Sequence, residues 1–237
     1  MPKIRAVIFD CYRTLVDIKT NEAKQELFVF LSRYLQYYGA DISGQYLNSA
    51  LDQEKELYLK RSGELYPEVD LEVVFVNVLR KAGLADIFLA QSCCKLFRLL
   101  SRDRFQLFPD SLPVLKEMKR EGYSLGLVSD AQKVFGLEEC KILGLSEVFD
   151  HVVLSTQFRF TKPDPRLFSI ACSLLDVPPD QAVYVGNDPE RDVKGARQIG
   201  MKTILVDRDS GHRGEEPDAD LYAADLWEAW GWVKGNS

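Results

Sequence analysis

Five short apolar runs, separated by polar and amphipathic segments, constrain the fold of this chain most strongly. The runs are Ala6–Phe9, Ser124–Val128, Val152–Leu154, Ala182–Val185 and Thr203–Val206. Each has the length of a buried strand and ends at or near a polar residue or a glycine. Helix-like patterns fill the gaps between the last four runs, roughly at 131–143, 165–175 and 190–199. This alternation predicts an α/β fold with a parallel sheet and right-handed crossovers.

The gap between the first and second runs exceeds a hundred residues, which is too long for one crossover. It holds helical patterns and almost no strand signal, at 21–38, 43–61, 71–82 and 87–100. We therefore predict a core formed by residues 1–16 and 108–237, with residues 17–107 inserted as a small helical domain above the strand ends. Beyond the last run, the sequence predicts a loop at 207–218, an edge strand near 220–225 and a terminal helix that packs Trp227, Trp230 and Trp232 on the core.

Charge and cysteine usage exclude several classes of protein. The net charge of −6 argues against a nucleic-acid surface, although local cations can still bind a small anionic substrate. The five cysteines are odd in number and form no C-x-x-C pair, which favours reduced thiols in the cytoplasm. The start of the chain does not resemble a secretory signal, and no segment approaches the ~20 apolar residues of a membrane span. We expect a cytoplasmic protein, monomeric or homodimeric, without membrane or nucleic-acid partners.

Chemically capable side chains follow four of the predicted strands. Asp10 follows the first strand, Ser129 ends the second, Lys162 lies in Thr161-Lys-Pro-Asp-Pro-Arg166, and an acidic pair lies in Gly186-Asn-Asp188-Pro-Glu-Arg-Asp192. Because a parallel sheet gathers its carboxyl ends at one edge, we expect these groups to converge there. A carboxylate, a hydroxyl, a cation and an acidic pair suit an anionic group together with Mg²⁺, which binds few protein oxygens and keeps several waters.

These four motifs, in this order, resemble those of the haloacid dehalogenase superfamily over nearly the whole chain. The resemblance implies a Rossmann-like core with an inserted helical cap. It also implies that Asp10 attacks the substrate and forms a covalent aspartyl intermediate, while Ser129 and Lys162 bind the transferring group. Asp10, the backbone carbonyl of Tyr12 and Asp188 would hold Mg²⁺, and Asp192 would orient Lys162 or a metal-bound water.

Two of these residues have plain structural alternatives. Asp192 lies about one turn after Asp188 and could simply be an acidic residue at a helix N-terminus. Asp130, which follows Ser129, is a candidate substrate-binding residue, with a helix cap or a solvated charge as its alternative. Thr14 is expected to stabilise the loop after Asp10.

Tyr12 departs from the pattern of the family's phosphatases, which carry a second Asp there as general acid and base. A phenol with a pKa near ~10 is a poor base at neutral pH, and Tyr at this position resembles the metal-free 2-haloacid dehalogenases. Arg13 stands where a glycine is usual, and we expect it to point to solvent. The Gly186-Asn-Asp188 segment resembles the metal-dependent phosphatases instead. We predict a Mg²⁺-dependent hydrolase of small phosphorylated metabolites, with Tyr12 in the catalytic set. The alternatives are a 2-haloacid dehalogenase and a non-catalytic phosphate- or protein-binding relative.

Overall fold

Six parallel strands form the central sheet in the order β5-β4-β1-β6-β7-β8. The structure is a computed structural model, and it describes residues 3–208 and 218–237. The strands, numbered along the chain, are β1 Ala6–Phe9, β2 Val16–Thr20, β3 Arg102–Leu107, β4 Ser124–Ser129, β5 His151–Leu154, β6 Ala182–Gly186, β7 Lys202–Val206 and β8 Leu221–Ala223. The α/β fold, the five predicted core strands and the edge strand are confirmed. The predicted loop 207–218 lies mostly outside the described residues.

Helices cover both faces of the sheet and fill the long insertion. They are α1 Gln25–Tyr37, α2 Gly44–Ser62, α3 Leu71–Lys81, α4 Ile87–Ser101, α5 Ser111–Arg120, α6 Lys133–Ile142, α7 Pro165–Leu174, α8 Lys194–Arg197 and α9 Leu226–Gly235. A π-helical turn, Pro189–Val193, leads into α8. Within the described ranges, none of these helices is both long and apolar enough to cross a membrane.

Alternation along β1 explains how the sheet is buried on both faces. Val7 and Phe9 pack into one hydrophobic cluster, whereas Ala6 and Ile8 pack into the cluster on the opposite face. The first cluster also contains Trp230 of α9, which is buried as predicted. Trp232 only packs against this cluster from a partly buried position, and Trp227 is exposed. Burial on both faces fixes β1 at the centre of the sheet and thereby fixes the position of Asp10.

The helical segment α1–α4 has a hydrophobic cluster of its own. Leu31, Phe75, Cys93 and Phe97 are among its buried members. Side-chain caps set two of its helix starts, because Asp70 and Asp86 each accept backbone N–H groups from the first turns of α3 and α4. This segment therefore packs around its own core as well as against the sheet domain.

The insertion also contains strands, for which the sequence offered almost no signal. β2 and β3 pair as an antiparallel ribbon, with Val16 opposite Leu107. The ribbon lies at the predicted boundaries 16/17 and 107/108 and joins the helical segment to the sheet. Its charged residues obscured it in the sequence, because β3 reads Arg-Asp-Arg-Phe-Gln-Leu. The apolar residues Val16, Ile18, Phe105 and Leu107 mark its inner face, where they pack in or against the core.

Candidate active site

A buried lysine joins two buried carboxylates at the carboxyl edge of the sheet. The Nζ atom of Lys162 lies 2.7 Å from Oδ1 of Asp10 and 2.5 Å from Oδ1 of Asp192. It also donates to the hydroxyl of Tyr184 at 3.2 Å. The three charged residues are 6% exposed or less. The structure therefore brings together three of the predicted site residues, from three separate motifs.

Burial dominates the protonation of this cluster. Removal from water raises the pKa of Asp10 to about 6; Lys162 opposes this rise and the Asp192 carboxylate adds to it. Burial would lower the pKa of Lys162, but the carboxylates of Asp10 and Asp192 outweigh that effect and hold it well above its usual range. Lys162 therefore stays an ammonium. With both aspartates ionised, the three side chains carry one excess negative charge, which a further cation could balance.

Asp192 organises the loop that follows β6. Its Oδ2 atom accepts hydrogen bonds from the backbone N–H groups of Asn187 and Asp188, both at 3.0 Å. Its other oxygen accepts from Lys162. Asp192 thus connects the loop 187–188 to the lysine, which agrees with an orienting role and goes beyond a charge at a helix N-terminus.

Thr14 holds the second oxygen of Asp10. Its hydroxyl lies 2.9 Å from Oδ2 of Asp10 and 3.2 Å from Oδ1 of Asn187. Thr14 thus stabilises the loop after β1, as expected. Sequence analysis missed the contribution of Asn187, whose signal was its place between Gly186 and Asp188 in the fourth motif. It also missed Tyr184, whose signal was a phenol within an otherwise aliphatic strand.

Asp188, a predicted metal ligand, caps a helical turn through one of its carboxylate oxygens. Its Oδ1 atom accepts from the backbone N–H groups of Glu190 and Arg191, both at 3.0 Å, and so caps the π-helical turn. Among residues 3–208 and 218–237, no group of three or more His, Cys, Asp or Glu side chains is placed to hold a metal ion. The set Asp10, Tyr12 carbonyl and Asp188 has only two carboxylates. Such a set fits Mg²⁺, which accepts few protein oxygens, and the excess negative charge of the cluster favours a cation.

Ser129 offers a hydroxyl without a protein partner. Its Oγ atom is buried and makes no hydrogen bond within the described part of the chain. A buried polar atom of this kind costs free energy unless a ligand or water satisfies it. Ser129 is therefore suited to contact a bound substrate oxygen.

Asp130 differs from Ser129, because both of its oxygens are engaged by the protein. Oδ1 accepts the backbone N–H of Lys162 at 3.0 Å, and Oδ2 lies 2.8 Å from Nη2 of Arg191. The candidate substrate-binding assignment of Asp130 is therefore revised. The residue fixes the position of the lysine loop, and its negative charge would repel an anionic substrate.

The Tyr12 side chain is hydrogen-bonded to a glutamate of α6. Its hydroxyl donates a 2.5 Å hydrogen bond to Oε2 of Glu139 in α6. Burial and the nearby Cys11 and Glu139 raise the pKa of the phenol well above its usual range. A catalytic role for this side chain as proton donor is therefore not supported, because its proton is committed to Glu139. Arg13, in the next position, is exposed and has φ of 68°, a conformation that favours glycine.

Comparison with known proteins agrees with this geometry. Residues 7–206 match the model of the haloacid dehalogenase-like hydrolase family. The chain belongs to this family. A phosphoserine phosphatase of Thermus thermophilus is 36% identical over 159 residues, which cover 66% of this chain and 62% of that protein. A glyceraldehyde 3-phosphate phosphatase of Methanopyrus kandleri is 36% identical over 101 residues, or 43% of each chain. The chain thus spans less than two thirds of these relatives' length.

Other relatives of the family are dehalogenases. An (S)-2-haloacid dehalogenase of a Pseudomonas species is 25% identical over 210 residues, covering 88% of this chain and 86% of the relative. Among solved structures, a 2-haloacid dehalogenase from Pseudomonas syringae aligns over 98% of both chains with a TM-score of 0.72 and 24% identity. A HAD phosphatase from Thermococcus onnurineus aligns over 98% and 99% with a TM-score of 0.64 and 24% identity. At this identity the solved structures establish the shared fold only.

Proposed function

We propose that this hydrolase cleaves small phosphate esters or anhydrides through an aspartyl-phosphate on Asp10, with Mg²⁺ as its cofactor. The observation that carries the proposal is the buried Asp10–Lys162–Asp192 cluster, with its excess negative charge, beside the unpartnered Ser129 hydroxyl. A halide leaves carbon as an anion without protonation, and its displacement transfers no phosphoryl group whose charge a further cation would neutralise. The two phosphatase relatives with 36% identity support the same class of substrate.

In the first half of the reaction, an oxygen of Asp10 attacks phosphorus and the bond between phosphorus and the leaving oxygen breaks. Lys162 offsets the negative charge of the phosphoryl group, and the Ser129 hydroxyl donates a hydrogen bond to one of its oxygens. In the second half, water attacks the aspartyl-phosphate, releases phosphate and restores the Asp10 carboxylate. When bound by Asp10, the Tyr12 carbonyl and Asp188, Mg²⁺ supplies further neutralisation of charge.

The absence of a carboxylate at position 12 narrows the substrate class. Because the Tyr12 hydroxyl donates to Glu139, no side chain at this position protonates the leaving oxygen. General acid catalysis is worth roughly 10²–10⁴ in rate, so substrates with poor leaving groups lose most. We therefore propose acyl phosphates or aryl phosphates as favoured substrates, because their leaving groups depart without protein protonation.

The helical segment is proposed to act as the cap of this site, within an insertion of residues 17–107. The loop between α2 and α3 contacts the sheet domain close to the second and third motifs. Gln132 donates to Glu68 and to the carbonyl of Val69, and the Thr161 N–H donates to the carbonyl of Tyr66. A segment held there would limit access and favour small substrates. We propose action in the cytoplasm, where reducing conditions keep the five buried cysteines as thiols.

The test is a panel of phosphorylated metabolites, acyl and aryl phosphates and 2-haloacids, each assayed with Mg²⁺ and with chelator. We expect Mg²⁺-dependent phosphate release, no halide release, and loss of all turnover in Asp10→Asn. Thermal unfolding of Asp10→Asn controls for folding. Phosphate release that is unaffected by chelator would contradict the Mg²⁺ assignment, and turnover by folded Asp10→Asn would contradict the nucleophile.

A 2-haloacid dehalogenase is the second candidate, favoured by Tyr12 and by the relative that aligns over 88% of this chain. Charge argues against it, because without a metal ion a carboxylate substrate would enter beside a cluster that already has one excess negative charge, with Asp130 nearby. Metal-independent halide release from 2-chloropropionate would establish this alternative. A folded protein that binds phosphate but turns over nothing in the panel would indicate the non-catalytic relative.

A further inference from the structure

Arg98 lies at the contact between the helical segment and the sheet domain. It belongs to α4, and its guanidinium makes a bidentate pair with Glu139 of α6, through Nε to Oε1 at 2.7 Å and Nη2 to Oε2 at 2.9 Å. The guanidinium also stacks on the rings of Tyr12 and Phe135, 4.9 Å from each centroid. The side chains of Arg98 and Glu139 are only 12% and 7% exposed. Planar, bidentate and stacked contacts of this kind are specific to arginine.

The same glutamate also holds Tyr12. The Tyr12 hydroxyl donates to Oε2 of Glu139, so this oxygen receives both Arg98 and Tyr12. We call Arg98, Glu139, Tyr12 and Phe135 the Arg98 clamp. The clamp contains one side chain from the helical segment, two from α6 and one from the loop after β1.

The loop after β1 is short and tightly bonded, so a shift at Tyr12 is passed to its neighbours. The carbonyl of Cys11 accepts from the N–H groups of Leu15 and Val16, and the N–H of Arg13 donates to the carbonyl of Val16. Arg13 is held in the left-handed region, a conformation that persists only where surrounding contacts enforce it. Tyr12 stands two residues after Asp10 and is the member of the clamp that belongs to this loop.

We propose that Arg98 is a positioning residue, which couples the seating of α4 on α6 to the alignment of Asp10 through Tyr12. Arg98 touches none of the reacting atoms. The position that carries an acid in related phosphatases is used here to tie the nucleophile loop to the helical segment. The expected effect on turnover rests on the proposed phosphatase function, whereas the expected effect on the loop does not.

A neighbouring ion pair provides a matched control. Lys95 of α4 pairs with Glu138 of α6 at 2.8 Å, so it joins the same two helices next to the clamp. Both side chains of this pair are exposed, at 46% and 59%, in contrast to the largely buried pair of Arg98 and Glu139. Both pairs hold the two helices together, but of the two only the Arg98–Glu139 pair is linked to Tyr12, and through it to the loop that follows Asp10.

The experiment compares Arg98→Gln, Arg98→Lys and Tyr12→Phe with Lys95→Gln in the full chain. Turnover of an aryl phosphate with Mg²⁺ is measured together with hydrogen exchange of peptides that cover residues 8–18. For Arg98→Gln we expect kcat to fall at least tenfold with KM changed less than threefold, because misplacement by about 1 Å costs on the order of 10² in rate. Exchange should rise in residues 8–18. Arg98→Lys should recover little, and Lys95→Gln should match the wild type.

Tyr12→Phe keeps the ring and removes the hydroxyl link, so it tests the coupling even where Arg98→Gln folds poorly. Tyr12→Phe should lower kcat in the wild type but cause little further loss in Arg98→Gln, because either change alone breaks the connection. An Arg98→Gln protein with wild-type kcat and unchanged exchange at 8–18 would overturn the proposal. If the wild type hydrolyses no phosphate, the proposed function fails, and exchange at residues 8–18 alone then decides the coupling.

Discussion

A β-carbon added at Gly186 would lie 2.4 Å from Cγ of Asp192. This distance is far inside van der Waals contact, so the absence of a side chain at position 186 is a requirement of the site. Asp192 cannot easily retreat, because its carboxylate is held by Lys162 and by two backbone N–H groups. The position of Asp192 in the π-helical turn therefore requires a glycine at the end of β6.

Gly186→Ala should consequently damage both stability and activity. We expect a loss of about 1–3 kcal/mol in the free energy of unfolding, as for other overpacked sites, and a large fall in kcat as Asp192 shifts away from Lys162. Urea unfolding and phosphatase assays measure the two effects. Gly231→Ala is the matched control, since nothing lies within 4 Å of its added β-carbon. In the middle of α9, that change should stabilise by ~0.5–1 kcal/mol. Equal stability of the two variants would contradict the argument.

Lys162→Met should show that the lysine neutralises two buried charges. Removing the ammonium leaves Asp10 and Asp192 without their partner, and breaking a buried ion pair in this way costs about 3–5 kcal/mol. In Lys162→Met/Asp192→Asn one of the two carboxylates is neutral, so much of the lost stability should return. Neither variant should hydrolyse phosphate esters. The expected order of urea midpoints is wild type, double variant, single variant, and a double variant no more stable than the single one would refute the charge argument.

Glu68 should make stability depend on pH. Burial raises the pKa of this carboxyl from 4.5 to about 7; Ser155 opposes the rise, Asp130 and Asp70 add to it, and Arg191 opposes it. Because the folded state holds the proton more tightly, this group's contribution to stability is present below pH 4.5 and lost as the pH rises through about 7.

Glu68→Gln, which stays neutral, should therefore be more stable than the wild type at pH 8 by about 1–3 kcal/mol. The two proteins should differ little below pH 4.5, where Glu68 is protonated in both states. Urea unfolding at a series of pH values measures the difference. A difference that stays constant across this range would show that Glu68 does not titrate in it.

Sequence patterns predicted the sheet and the convergence of Asp10, Lys162 and Asp192. Apolar runs that alternate with helices indicate a parallel sheet, and a parallel sheet brings the polar residues after its strands to one edge. They could not predict the partner of Tyr12, since Glu139 is 127 positions away and is one of two adjacent acidic residues on α6. They also could not predict that Asn187 contacts Thr14 while Asp188 caps the π-helical turn. Which of two adjacent polar side chains turns inward depends on the cap at the π-helical turn, and that geometry is set by packing.

Tyr12→Asp tests the link between the missing acid and the choice of leaving group. Aspartate at position 12 loses the ring under Arg98 and the hydrogen bond to Glu139, so we expect aryl phosphate turnover to fall. It also returns a carboxyl group two residues after the nucleophile, where it can protonate a leaving oxygen. The ratio of alkyl to aryl phosphate turnover should therefore rise by about tenfold or more. Tyr12→Asn is the control, because asparagine has the size of aspartate but carries no acid. It should lose aryl phosphate turnover to a similar extent and keep the wild-type ratio of alkyl to aryl phosphate turnover. Rates over a series of phosphate esters with graded leaving-group pKa measure both quantities. An identical ratio in folded Tyr12→Asp and Tyr12→Asn would show that the absence of an acid at position 12 does not set leaving-group preference.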